Sequence, residues 1–163
     1  MKHTIAFIAA LACAASIASA QLTPAEKASV AAEAWLKLVD DGAYPDAYST
    51  ASETWRDRQT EDNFGRLLKA LRSGKGDFKS RTLKSAEKMK GEHVIGGKKR
   101  DVIAVRFATE WSERTGTDLV NMVEENPDEW RAFGYSIQGT SEPRTTPGPA
   151  DKDKKAKKEK KKD

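Results

Sequence analysis

The sequence predicts an α+β domain, with N-terminal helices packed on one face of a curved antiparallel sheet of about four strands. Three observations predict it. In the first half of the chain apolar residues recur at helical spacings of three and four. From residue 80 onward they alternate at the strand spacing of two. The breaks between the alternating runs carry turn residues: "GGKK", "RTG" and "NPD".

The elements follow in order. "TPAEKASVAAEAWLKLVDDG" is a helix with Thr23 as N-cap, Pro24 at the first helical position and Glu26 in the first turn. Ala31, Ala34, Trp35, Leu38 and Val39 share one face, and Asp41-Gly42 closes the helix with a left-handed cap. A second short helix follows "YPDAYSTAS". A third runs from Thr60 to Ser73 with Phe64, Leu67, Leu68 and Leu71 as its apolar stripe, and Gly74 ends it. Then come the strands. In "SRTLKSAEKMK" Leu83, Ser85, Glu87 and Met89 face away from Thr82, Lys84, Ala86 and Lys88. In "DVIAVRFATEW" Ile103, Val105, Phe107, Thr109 and Trp111 alternate with Val102, Ala104, Arg106, Ala108 and Glu110. "TDLVNMVEE" and "EWRAFGYSIQ" complete the set. Because neither layer buries its apolar side alone, the helices are expected to cover one face of the sheet.

Both ends of the chain read differently from this domain. Residues 1–20 have the form of an export signal: Lys2 and His3, an apolar run from Ile5 to Ile17, then Ala18-Ser19-Ala20 as the cleavage site before Gln21. The run is shorter than the ~20 residues a membrane span needs. An exported, periplasmic or secreted protein is therefore expected. Cys13, the one cysteine, lies within this signal, and lipidation there is the alternative. Cleavage after Ala20 leaves no cysteine for disulfides, thiolate nucleophiles or Cys-type zinc sites. At the other end, "TSEPRTTPGPA" reads as a Pro-rich linker and "DKDKKAKKEKKKD" as a disordered tail, so the domain is expected over 21–139 and the tail over 140–163.

The formal charge of +4 belongs to that tail. Residues 141–163 hold nine basic and five acidic side chains, and residues 21–140 hold nineteen and twenty. A nucleic-acid-binding domain would carry its basic excess on the fold, so nucleic acid ranks last among partners of the tail. A solvated tail ranks first. An electrostatic foot on an anionic envelope surface ranks second, through Lys154, Lys155, Lys157, Lys158, Lys160, Lys161 and Lys162, with Lys98, Lys99 and Arg100 of "GGKKR" as a second basic turn.

"AAEAWLKLVDDGAYPDAYSTAS", "SRTLKSA", "DVIAVRFATEW" and "EWRAFGYSI" together resemble the bacterial domain of unknown function 4019 family. The most specific pieces are Trp35-Leu36 with Leu38-Val39-Asp40, Arg81 with Leu83, and Trp130-Arg131 with Gly134-Tyr135. The likeness covers roughly residues 30–138. It departs at Asn126-Pro127-Asp128-Glu129, where the family tends to carry Asp-Gly, and in the short basic loop "GEHVIGGKKR". The resemblance implies an exported protein, similar in outline to nuclear-transport-factor-2-like and cystatin-like cones. It implies no activity and no catalytic residues.

Catalytic signals are thin. His93 is the one histidine of the mature chain, and a zinc site wants two or three converging ligands, so no metal and no cofactor are expected. No serine sits in a "GxSxG" setting. Cones of the implied type often hold a cavity between sheet and helices. Tyr44, Tyr48, Trp55, Glu87, Asn121 and Tyr135 are the candidates to line it. Glu87 in particular would act as an acid or base if buried; its bland alternative is a strand end that meets water. Trp55 is read as a pocket mouth or an oligomer contact. Core packing is the expectation for Trp35, Phe107 and Trp111. The leading functional reading is a non-catalytic envelope protein that binds a small apolar ligand or another envelope protein. An isomerase-, dehydratase- or hydrolase-like enzyme with a pocket acid, and an assembly scaffold tethered by the Lys tail, are the alternatives.

Overall fold

The computed structural model describes residues 21–141. The expected signal with Cys13, the linker beyond Ser141 and the tail lysines lie outside the described residues.

Helix α1 (Pro24–Asp40) starts at a capping box. The Thr23 hydroxyl accepts from the Glu26 N–H at 3.3 Å, and the Glu26 carboxylate accepts from the Thr23 N–H at 2.7 Å. The bond from the Thr23 N–H, and after it one that the Thr23 hydroxyl donates to the same carboxylate at 2.8 Å, hold the Glu26 carboxyl below its usual pKa. Gly42, at φ 72°, follows the Asp41 cap in the left-handed region. Two short helices come next, α2 (Tyr44–Ser49) and α3 (Glu53–Arg56). The expected short helix is α3, and the segment before it winds as well, with Pro45 in its first turn. Helix α4 (Glu61–Arg72) is capped by Thr60, whose hydroxyl accepts from the Asn63 N–H at 3.4 Å.

The strands are β1 (Phe78–Lys88), β2 (His93–Ile95), β3 (Lys98–Arg100), β4 (Val102–Trp111), β5 (Thr115–Asn126) and β6 (Glu129–Ser141). Four of them make one antiparallel sheet in the order β1-β4-β5-β6, with β1 and β6 at its two edges. The fold is the expected α+β arrangement. Strand β6 runs past the expected boundary at Gly139, and Ser141 pairs with Thr115.

Helix α1 touches all four strands of this sheet and α2. Being contacted from two sides, it buries an arc displaced from the expected stripe: Ala28, Ala32, Trp35, Leu36 and Val39. Ala31 and Leu38 are only partly buried, and Ala34 is exposed. On α4, Phe64 and Leu68 are fully buried, whereas Leu67 is exposed. Against them the sheet presents Ile103, Val105, Phe107, Val120 and Met122. The Trp35 ring lies 5.7 Å from Trp55, 6.4 Å from Phe64 and 5.5 Å from Tyr135, and its indole N–H donates to the Ala47 carbonyl at 2.9 Å.

Strands β2 and β3 form a separate hairpin that alternation alone did not resolve. Gly96 and Gly97 turn it, both at positive φ (58° and 73°), as a tight hairpin requires. Ile95 of this hairpin packs with Val102, Val123 and Phe133 on the sheet face away from the helices. That cover explains why Val102 and Ala104, expected opposite the core, are buried too. Both apolar clusters and all ten elements lie within 21–141.

Candidate functional site

Polar side chains from six elements meet inside the domain. Asp118 of β5 is fully buried. It stands in phase with Val120 and Met122 and therefore faces the helices. One of its oxygens accepts from the Thr109 hydroxyl (β4) at 2.6 Å and from Arg81 (β1) at 3.0 and 3.3 Å. The other accepts from the Tyr135 hydroxyl (β6) at 2.6 Å. The pairing of Arg81 with Thr109 across β1 and β4 sets this register. Arg81 turns its remaining donors to Asp40, the last residue of α1, at 2.7 and 3.2 Å. The Arg72 guanidinium, at the last residue of α4, approaches Asp40 to 2.7 Å.

Two cations thus face two anions in a nearly dry space. The side chains of Arg81, Asp40 and Asp118 are 5%, 7% and 0% exposed. Burial works against the Arg81 charge, but the hydrogen bonds and charge of Asp40, then of Asp118, outweigh it and raise its pKa. Burial, followed by the Asp118 carboxylate, drives the Tyr135 phenol far above its ordinary pKa, so it stays a neutral donor. Arg72 is held differently. Its approach to Asp40 is an ion pair without hydrogen-bond alignment, and its three nitrogens are buried without a hydrogen-bond partner among the described residues. It compensates by lying 5.2 Å from the Trp111 ring and 5.7 Å from the Tyr135 ring.

A family description, "Protein of unknown function (DUF4019)", matches residues 31–135. The chain belongs to the DUF4019 family. No curated protein and no solved structure matches it. Three residues from the pieces that carry the resemblance, Asp40, Arg81 and Tyr135, are members of the network in this DUF4019 domain.

The expected site residues do not converge. Tyr135 alone belongs to the network. Tyr48 donates to the carbonyls of Arg56 and Gln59 at 3.3 and 3.2 Å and stacks edge-on to Phe64. Trp55 is 9% exposed and packs 4.9 Å from Phe64, because α3 turns it inward onto the core. Tyr44 lies under Lys69, 5.6 Å from its ring, beside an open hollow of about 470 Å³ that Glu61, Arg66 and Lys69 also line. Asn121 sits on the face away from the helices, opposite Gly134, where a Cβ would come within 3.3 Å of its amide.

Glu87 is a correction. It does not line a pocket; its side chain is 70% exposed, 4.0 Å from Arg106. A β-bulge between Leu83 and Ser85 shifts the strand's phase, so Ala86 packs on the core and Glu87 faces water. Arg100 is the second correction. It is not free for a surface, because it donates to the carbonyls of Ile95, Glu124 and Glu125 and pins the β2–β3 hairpin. Lys99 pairs with Glu92, and Lys98 is exposed. Asp118 and Arg72 escaped the sequence reading. The available signal was an acid alternating in phase with Val120 and Met122 on a strand that otherwise reads as core.

A groove opens beside α1, between it and the β5–β6 side of the sheet. Its volume is about 440 Å³, and Ala31, Ala34, Trp35, Leu38, Met122 and Trp130 line it. It exists because Ala31 and Ala34 are too small to fill the space that the displaced arc of α1 leaves open. At its rim Arg131 is neutralised by Glu125 and Glu129.

Proposed function

We propose that the chain is an exported, non-catalytic binding protein whose α1 groove takes a small apolar ligand. The groove carries this reading: its volume falls in the usual range for small-molecule sites, roughly 300–1,000 Å³, and its walls are aliphatic and aromatic with a charge-balanced rim. The enzyme reading loses support from the buried network. Asp118 has both oxygens engaged and Tyr135 is held protonated, so neither is available to move a proton to a substrate. Export rests on the form of residues 1–20. The nuclear-transport-factor-2-like outline is part of the same reading, supported by helices covering one face of a four-stranded sheet.

Native mass spectrometry of the chain recovered from an envelope fraction tests it. The expected mass begins at Gln21 and carries a discrete small adduct, which Ala34→Trp removes while leaving the melting temperature in place. An adduct that survives Ala34→Trp refutes the groove. So does a chain that retains no adduct and takes up no apolar reporter dye.

A further inference from the structure

The free edge of the sheet is both basic and apolar. Residues 75–90 hold six Lys and Arg against two Asp and Glu. Arg81 and Arg100 are used inside the fold, while Lys88 pairs with Asp101 and Lys99 with Glu92. Lys79, Lys84, Lys90 and Lys98 remain exposed with no ion pair among the described residues. Apolar side chains stand among them. Of the seven large hydrophobic residues that the described domain exposes, four lie on β1, just after it, or on β2: Phe78, Leu83, Met89 and Val94. Val94 is 66% exposed and Leu83 48%.

Lysines on an edge strand ordinarily guard it against pairing with another chain. That role accounts for Lys79 and Lys84 but not for the apolar residues, which weaken such a guard. Leu83 pairs with Phe107 and so stands on the helix-covered face, yet on this edge strand it is left half exposed; the β2–β3 hairpin packs elsewhere, with Ile95 against Val123 and Phe133 on the opposite face. Cations interleaved with exposed apolar side chains match the boundary between phosphate headgroups and acyl chains. A second copy fits poorly, because pairing β1 with β1 sets two rows of lysines against each other.

We propose that the β1 edge docks the domain on an anionic phospholipid surface. This inference is independent of the α1 groove. Lys79, Lys84 and Lys90 meet headgroup phosphates, and Leu83 and Met89 enter the headgroup boundary. The C-terminal lysines add to the same attraction.

Flotation with vesicles tests it, using residues 21–163 so that the tail is unchanged in every variant. The parent chain is expected to float with phosphatidylglycerol–phosphatidylcholine vesicles and not with phosphatidylcholine alone. At low salt each lysine near the surface is worth about fivefold in partitioning, so Lys79→Gln with Lys84→Gln lowers it roughly 25-fold. Leu83→Ser lowers it several-fold more without moving the melting temperature. Lys98→Gln with Val94→Ser, on the hairpin that packs over β5 and β6, is expected to leave flotation unchanged, and an equal loss there overturns the assignment to the β1 edge. The inference is overturned by no flotation of the parent; by equal flotation of parent and edge variants, which assigns binding to the tail; or by a dimer in solution that Leu83→Ser dissociates. Equal affinity for a soluble anionic polysaccharide that displaces the vesicles also overturns it.

Discussion

Asp118→Asn isolates the charge of the buried carboxylate from its hydrogen bonds. The amide is nearly the same size. Its carbonyl accepts from Arg81 and Thr109 as before, and its NH₂ donates to the Tyr135 oxygen, which reverses that one bond and turns the phenol proton away. The net charge of the cluster changes. Arg72 and Arg81 are left against Asp40 alone, in a place where the Arg81 side chain is 5% exposed. Removing one partner of a buried ion pair costs about 3–5 kcal/mol. Asp40 still holds Arg81 at 2.7 Å, so the low end applies, about 3 kcal/mol. A domain of this size has roughly 5–15 kcal/mol in all, and the melting temperature is expected to fall by roughly 10 °C. Urea and thermal denaturation of residues 21–163 measure it, with Arg81→Met and the double variant closing the cycle. The coupling between the two sites is expected to exceed about 1 kcal/mol. A cost under about 1 kcal/mol for Asp118→Asn would refute the reasoning. Water would then be reaching the carboxylate, and the case against a proton-transfer role for Asp118 would fall with it.

Three further outcomes are expected. The Tyr135 phenol has a raised pKa in the fold, so above the ordinary tyrosine value of about 10 the unfolded chain releases a proton that the folded chain keeps. Stability therefore declines as pH rises past that point, and Tyr135→Phe should flatten the slope by about 1.4 kcal/mol per pH unit, read by urea titration at alkaline pH. Glu87→Gln should change stability by less than about 0.5 kcal/mol, read by urea denaturation; a loss of several times that would return Glu87 to a buried site. Gly76, in the α4–β1 loop, has φ 73°, and a Cβ there would run into the Ser112 hydroxyl of the β4–β5 turn, so Gly76→Ala should destabilise the domain by about 2 kcal/mol or more, visible in chemical denaturation.

Local chemistry made the outline legible in the residue order. Thr23, Pro24 and Glu26 start α1, Thr60 starts α4, Gly42 follows the end of α1, and the alternation through Ile103, Val105, Phe107 and Trp111 marks β4 and its inward face. Each signal is complete within a few residues, because caps and periodicity follow from backbone geometry at i to i+4. The candidate site was far less legible. Asp40, Arg72, Arg81, Thr109, Asp118 and Tyr135 come from six elements and meet through strand register and the crossing of α1 over the sheet. The bulge after Leu83 reverses the phase of half of β1 and moves Glu87 into water. Contacts from two sides displace the buried arc of α1, leaving Ala34 beside a groove instead of in the core. Composition and periodicity thus dictated which elements form and which side of β4 turns inward. Convergence was set by packing between distant segments, whose energies depend on neighbours that no local window of the chain contains.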